Sequence, residues 1–416
     1  MTDARTRSGG ALARWVALGV VRFLLVPLLL ASGVALGVIT ATVHTSNLLY
    51  DFKGGLWNAG VAILQGHNPY QAAFLAHQAA LMRAGHIALG ETSARPFSVP
   101  VYPAGANVAV VPLSLLPLWL AGSLYTVASI AAMLAGVWLM GVRDRRCLAL
   151  VVISWPFVYG LYLGTVGPFL VLGAGIAWRW RQRLWAPALG LASIVALKIF
   201  PWTLACWLWV TGRRRAFWLA VGVCAAITFG SWAAIGFDGL LQYPRMLSEV
   251  SYLQAGRADS LATGLLVAGV SPGIASALVI ALAFALLVLA WRVKGMPDGD
   301  GRAFGLAVIA ALTGTPIVWE HYMVLIFIPV AILSPRWSRL WLVPALLPVI
   351  ELLSPAVIPD ATGIEPYSPN ALRGVLPWLA FEALLVVALT TTPVRRAAWR
   401  DALARRIGRR RALAAA

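Results

Sequence analysis

Long apolar runs recur along this chain from about residue 14 to about residue 392, separated only by short polar gaps, and that pattern leaves few folds open. A segment of about twenty apolar residues crosses hydrocarbon as a helix, because only a helix satisfies all of its own backbone polar groups there. The gaps carry arginines in clusters: Arg143, Arg145 and Arg146, then Arg179–Arg183, Arg213–Arg215, Arg292–Arg302, Arg336–Arg339 and a tail from Arg395 to Arg411. Such clusters collect on the cytoplasmic side of a membrane protein, so each one marks an inner loop.

On those marks the chain is expected to be an all-α polytopic membrane protein of about twelve transmembrane helices with both termini cytoplasmic. Residues 1–416 form one membrane unit. The first run, from about Leu24 to Val43, is too long for the apolar part of a cleaved signal and is read as a signal anchor. Residues 44–104 then form an outer loop with interfacial helices, and residues 393–416 a basic cytoplasmic tail. Within the loop a helix is expected over Gly55–Gln65, a turn at His67–Pro69 and a second helix over Gln71–Ala84, with Trp57, Tyr70 and Phe74 lying on the membrane surface.

The segments 105–117 and 119–141 look like two crossings, yet the arginines that follow at 143–146 should lie inside. Counting closes if the stretch holding Pro112 and Pro117 is a half-helix that enters and leaves on the outer side.

Composition narrows the function. With 60% hydrophobic and 12% charged residues and a mean hydropathy of +0.81, no large soluble domain fits. A formal net charge of +18 would point to nucleic acid in a soluble protein. Here the charge sits in short loops and the tail, so membrane lipid headgroups are the expected contact and no nucleic acid. Cys147, Cys206 and Cys224 lie in or at the ends of apolar runs without metal-ligand spacing. There is no GxxxxGK[ST], no strand-borne GxGxxG and no HExxH, so a soluble nucleotide substrate is unsupported.

Polar residues are scarce enough that those near the outer face stand out. Asp51, in NLLYDFKGGLWNAGVAILQGHNPY, follows the first apolar run at a membrane–water boundary beside Lys53. A carboxylate half removed from water there is suited to act as a general base, although a solvated loop acid or a helix cap is the plainer reading. Lys198 in ALKIFPW lies inside an apolar run, where a cation is costly unless paired or able to snorkel. It suits an anionic phosphate or carboxylate. Glu320 and His321 stand between two apolar runs, flanked by Trp319 and Tyr322, which suit an interface or a sugar-stacking wall. Arg257 precedes an apolar helix and is placed to face a lipid headgroup. Glu249, Asp259, Asp360, Glu365 and Tyr367 fall at the same face, and no metal-ligand set is evident among these acids.

Read together, these stretches resemble the C-type integral-membrane glycosyltransferases, and most closely family eighty-seven. The resemblance rests on Asp51 followed by Gly66-His67-Asn68-Pro69-Tyr70, then Tyr102-Pro103, then the K-x-x-P of Lys198–Pro201, then the P-x-x-W-E-H of Pro316–His321. Their order agrees over nearly the whole chain. One departure is Gly164-Thr165-Val166-Gly167, where many relatives carry G-Q-x-N, which leaves the acceptor open.

The resemblance implies a GT-C fold and a polyprenyl-phosphate sugar as donor. It implies transfer of a mannosyl group to a glycolipid acceptor, a phosphatidylinositol mannoside, at the outer face of the plasma membrane; an arabinofuranosyl donor is the alternative. Asp51 is then the catalytic base of an inverting displacement. Lys198 and His321 neutralise the leaving phosphate, Tyr70, Tyr102, Lys53, Glu320 and Arg257 contact donor or acceptor, and neither cofactor nor metal is needed. A lipid or sugar transporter is the rival class, but no internal repeat relates the two halves and the large outer loop appears once. A non-catalytic scaffold is the third reading and predicts no consequence for loss of the Asp51 carboxylate.

Overall fold

The computed structural model describes residues 48–83, 100–255, 258–347 and 371–391. Among these residues every regular element is helical. Four helices are long and apolar enough to cross a membrane: Leu118–Leu139, Arg214–Ile235, Pro272–Val293 and Gly374–Thr391. The helices Arg145–Ile153 and Trp155–Leu163 form a fifth candidate if their 51° bend is one broken span. The expected first span at Leu24–Val43 lies outside the described residues, as do the loop at 354–370, the tail at 393–416 and Arg257.

Several apolar runs fold as shorter pieces, so the described residues hold fewer full-length spans than the count of about twelve. Ala104–Ser114 has 11 residues and Trp185–Leu197 has 13. At 1.5 Å per residue these rise only about 16 and 20 Å, against about 30 Å of hydrocarbon. Pro117, extended at φ −55° and ψ 144°, separates the first from Leu118–Leu139, and the stretch expected to hold Pro112 and Pro117 in a half-helix is helical over 104–114, with Pro112 inside it and Pro117 beyond its end. Whether a run stays straight depends on such breaks.

The helices meet through small residues. A side chain at Gly136 would come within 2.6 Å of the Val171 carbonyl, and one at Gly175 within 2.5 Å of the Gly136 carbonyl. The 118–139 and 167–179 helices therefore touch backbone to backbone where Gly136, near the end of the first, meets Val171 and Gly175 of the second, the close approach that stands in for hydrophobic driving force inside a bilayer. Arg143 and Arg179 lie close enough to feel each other's charge, which puts Arg143–Arg146 and Arg179–Arg183 at one end of the bundle. Further contacts gather the other clusters there: Arg181 and Arg213 both donate to the Asp300 carboxylate, at 2.9 and 2.8 Å, and the Trp337 amide donates to Asp144 at 3.3 Å. The five described arginine clusters thus share one end, as the charge pattern predicts.

The opposite end carries the segment that precedes the bundle. A π-helical turn, Asp51–Trp57, runs directly into the helix Asn58–Leu64, and Ala72–Arg83 follows after a turn at 65–71. Expectation and structure agree on these elements. They differ on the aromatics: Tyr70 is fully buried between Trp232 and Tyr243, with ring centroids 5.1 and 5.3 Å away. The indole of Trp57 is half-buried and donates to the Leu116 carbonyl at 3.2 Å. The helix 72–83 packs along Gln242–Ala255, linked by an Arg83–Glu249 ion pair of 3.5 Å.

Candidate functional site

At this end a cavity of about 560 Å³ opens between the first helical segment, the 185–197 and 242–255 helices and the stretch 314–322. Each key side chain reaches it because a helix stops there. Asp51 begins the π-helical turn. Tyr102 and Pro103 precede the 104–114 helix, Pro103 being the extended residue at its start. Lys198 leaves the 185–197 helix in an extended conformation, at φ −153° and ψ 127°, and Pro201 opens the next helix, Trp202–Val210. His321 is the second residue of a 3₁₀ segment, Glu320–Ile326, which follows the extended residue Trp319.

The Tyr102 phenol donates to Asp51 Oδ2 at 3.1 Å. The Lys198 ammonium lies 4.3 Å from the Tyr102 ring centroid and 4.9 Å from that of Tyr322, and no carboxylate comes within 4 Å of it among the described residues. A half-buried cation held by π faces instead of an acid is not paired off and can meet an anionic ligand. His321 is 4% exposed, edge-on to Tyr322 with centroids 4.6 Å apart, and its Nδ1 has no hydrogen-bond partner among the described residues. Tyr322 in turn stacks on Phe200 at 4.9 Å.

Electrostatics follow from this packing. Burial raises the Asp51 pKa above the ordinary aspartate value, and the Lys198 charge and the Tyr102 hydrogen bond hold the rise back. For His321, burial first and the Lys198 charge second push the pKa well below the usual imidazole value. Lys198 and His321, the pair expected to face the leaving phosphate, both line the cavity, and the shift disfavours the charged form of the imidazole.

Not every expected contact residue lines the cavity. Asp51, Tyr102, Lys198 and His321 do. Tyr70 stands behind Tyr102 and donates to its carbonyl at 2.7 Å, so it is part of the frame and not of the wall. Lys53 and Glu320 are half-buried beside the cavity without lining it, and the Glu320 carboxylate accepts from the Trp155 indole. Tyr159 and Gln254 line it as well; Tyr159 gives no signal in the aromatic and apolar run WPFVYGLYL, and Gln254 is one polar residue among many in its helix. Asn107, which hydrogen-bonds Tyr70 at 2.8 Å, stands out as the one amide in a 104–114 helix whose only other polar side chain is Ser114.

The departure at residues 164–167 also has a structural context. Gly164 is left-handed at φ +70°, and a side chain there would meet Phe52 Cβ at 2.6 Å. This glycine lets the turn carrying Asp51 sit against the end of the Trp155–Leu163 helix. Thr165 is buried, its hydroxyl without a partner among the described residues. Among the described residues no group of three or more His, Cys, Asp or Glu side chains is gathered closely enough to hold a metal ion.

Fold and site together define a helical membrane protein with a largely apolar cleft of ligand size at the end away from the five arginine clusters, lined by one acid, one lysine, one imidazole and several aromatic rings. The chain belongs to glycosyltransferase family 87, whose family model matches residues 101–319, just over half of its length. It is therefore a glycosyltransferase, acting on a sugar donor and an acceptor. The matched stretch contains Tyr102-Pro103 and Lys198–Pro201, while Asp51 and His321 flank it. No curated protein and no solved structure matches the chain.

Proposed function

We propose that the cavity transfers a mannosyl group from polyprenyl-phosphate-mannose to a glycolipid acceptor, a phosphatidylinositol mannoside, at the outer face of the plasma membrane. The observation that carries this reading is the facing of Asp51 and Lys198 across one cavity, with the Tyr102 side chain between them: 3.1 Å from phenol to carboxylate and 4.3 Å from ring to ammonium. A base and a cation side by side are what a displacement with an anionic leaving group requires.

In this mechanism the acceptor hydroxyl gives its proton to the Asp51 carboxylate as its oxygen bonds to the anomeric carbon. The bond from that carbon to the phosphate oxygen breaks, the electron pair leaves with the polyprenyl phosphate, and configuration inverts. Lys198 balances the charge on the departing phosphate. His321, neutral, contributes a hydrogen bond, and Tyr322 and Trp319 offer ring faces to the sugar. A phosphate needs no strong acid to leave, so one carboxylate suffices.

The mannosyl donor and the phosphoinositide acceptor rest on the motif resemblance of Gly66–Tyr70, Tyr102-Pro103, Lys198–Pro201 and Pro316–His321. Purified protein incubated with labelled decaprenyl-phosphate-mannose, decaprenyl-phosphate-arabinose and candidate glycolipids tests both. Labelled glycolipid from the mannosyl donor alone supports the reading, and transfer only from the arabinosyl donor overturns it.

A further inference from the structure

Behind the cavity wall runs a line of buried hydrogen bonds that ends on Asp51. The Asn107 amide donates to the Tyr70 hydroxyl at 2.8 Å. That hydroxyl donates to the Tyr102 carbonyl at 2.7 Å, and the Tyr102 hydroxyl donates to Asp51 at 3.1 Å. Asn107, Tyr70 and Tyr102 are each at most 1% exposed. A second phenol, Tyr243, donates to the preceding carbonyl of Val101 at 3.4 Å.

Tyr70 is itself clamped. Its amide donates to Asn68 Oδ1 at 2.8 Å, and Asn68 Nδ2 donates to the Asp238 carbonyl at 3.0 Å. The turn at 68–70 is thus pinned to the loop at 236–239, and through its phenol it holds the backbone from which Tyr102 projects. Asn107 Oδ1 has no partner among the described residues, but the Asn107 amide, the Tyr70 phenol and the Tyr102 carbonyl are paired with one another, and breaking either bond would leave a buried donor or acceptor unpaired.

We propose that Tyr70 and Asn107 are positioning residues for the base, acting through Tyr102: they fix the backbone at Tyr102, whose hydroxyl sets the direction in which Asp51 presents its carboxylate. This rests on the reading of Asp51 as base. Neither residue touches substrate. Their contribution is therefore to turnover and to the ionisation of Asp51, and not to binding.

A double-mutant cycle tests the inference. Tyr102→Phe is expected to lower kcat about tenfold, the scale of one hydrogen bond to a charged group. Tyr70→Phe keeps the ring and is expected to lower kcat severalfold with KM for donor and acceptor unchanged. It also moves the acid limb of the kcat profile to higher pH, because a carboxylate that loses a donor is a weaker acid. In a Tyr102→Phe background, adding Tyr70→Phe is expected to change kcat by less than about twofold, the signature of residues acting in series. Full additivity of the two substitutions, or a Tyr70→Phe enzyme with normal kcat and an unmoved acid limb, overturns the inference. Should Tyr70→Phe fail to fold, Asn107→Ala takes its place in the cycle with the same criteria. Asp51→Asn separates the two ideas. An active Asp51→Asn enzyme removes the base reading and this inference with it, whereas an inactive one combined with additive Tyr70 and Tyr102 effects removes this inference alone.

Discussion

Tyr102 stands between the acid and the cation of the cavity: its hydroxyl donates to Asp51 at 3.1 Å while its ring carries the Lys198 ammonium 4.3 Å from the centroid. The two charges act on one another without forming an ion pair within 4 Å. On the proposed reading this leaves Asp51 free to take a proton and Lys198 free to meet an anion. A direct salt bridge would spend both.

Asp51 works as a base only when deprotonated, and burial raises its pKa. Activity is therefore predicted to rise with pH along a limb above the ordinary carboxylate range. The linkage sign is opposite for stability. The folded state holds the proton more tightly than the unfolded chain, so raising the pH through that window costs stability. Asp51→Asn removes this cost, and thermal unfolding of the purified protein at neutral pH is predicted to show an equal or higher Tm than wild type.

Lys198→Met removes the cation and keeps most of the apolar stem. Loss of charge stabilisation at the leaving phosphate is expected to reduce kcat/KM for the donor by about 10²-fold, on the scale of one preorganised electrostatic contact. The Lys198 charge also lowers the Asp51 pKa, so the acid limb should move to higher pH in this variant. Steady-state kinetics over a pH series reads both effects.

His321→Ala is predicted to raise the donor KM about tenfold while leaving the acceptor KM within about twofold, since the ring acts as a neutral hydrogen-bonding wall beside Lys198. Separate titrations of donor and acceptor distinguish the two. Equal weakening of both substrates would remove His321 from the donor side.

Gly239 lies at φ +89°, and a side chain there would come within 1.6 Å of the Tyr70 carbonyl oxygen. Gly239→Ala is expected to cost about 1–3 kcal/mol through backbone strain and the forced retreat of the 236–239 loop. It should lower the Tm and, by loosening Tyr70, lower kcat as well.

How much of this was legible in the sequence depends on what kind of signal each residue gives. Asp51, Lys198 and His321 could be found because a charge or an imidazole inside or beside an apolar run is costly and needs a reason, and the helix ends that carry them are written locally in Gly, Pro and Asn. Tyr70 was misplaced for the opposite reason. A tyrosine in a polar loop reads as an interfacial or ligand-facing ring, whereas its packing partners Trp232 and Tyr243 lie more than 160 residues away. The setting of His321 was hidden because only the fold buries its ring and brings Lys198 near it. The number of full crossings was also beyond local reading, since the composition of an apolar run does not say whether its helix reaches across the bilayer; the one that ends before Lys198 is 13 residues long.

The central claim is that the Asp51 carboxylate takes the acceptor's proton. Purified wild-type and Asp51→Asn proteins, matched by thermal unfolding and by binding of the lipid-linked donor, should be compared for transfer from labelled decaprenyl-phosphate-mannose to glycolipid. The account predicts at least about a 10²-fold loss of turnover in Asp51→Asn with the fold and donor binding retained; turnover within a few-fold of wild type would contradict it.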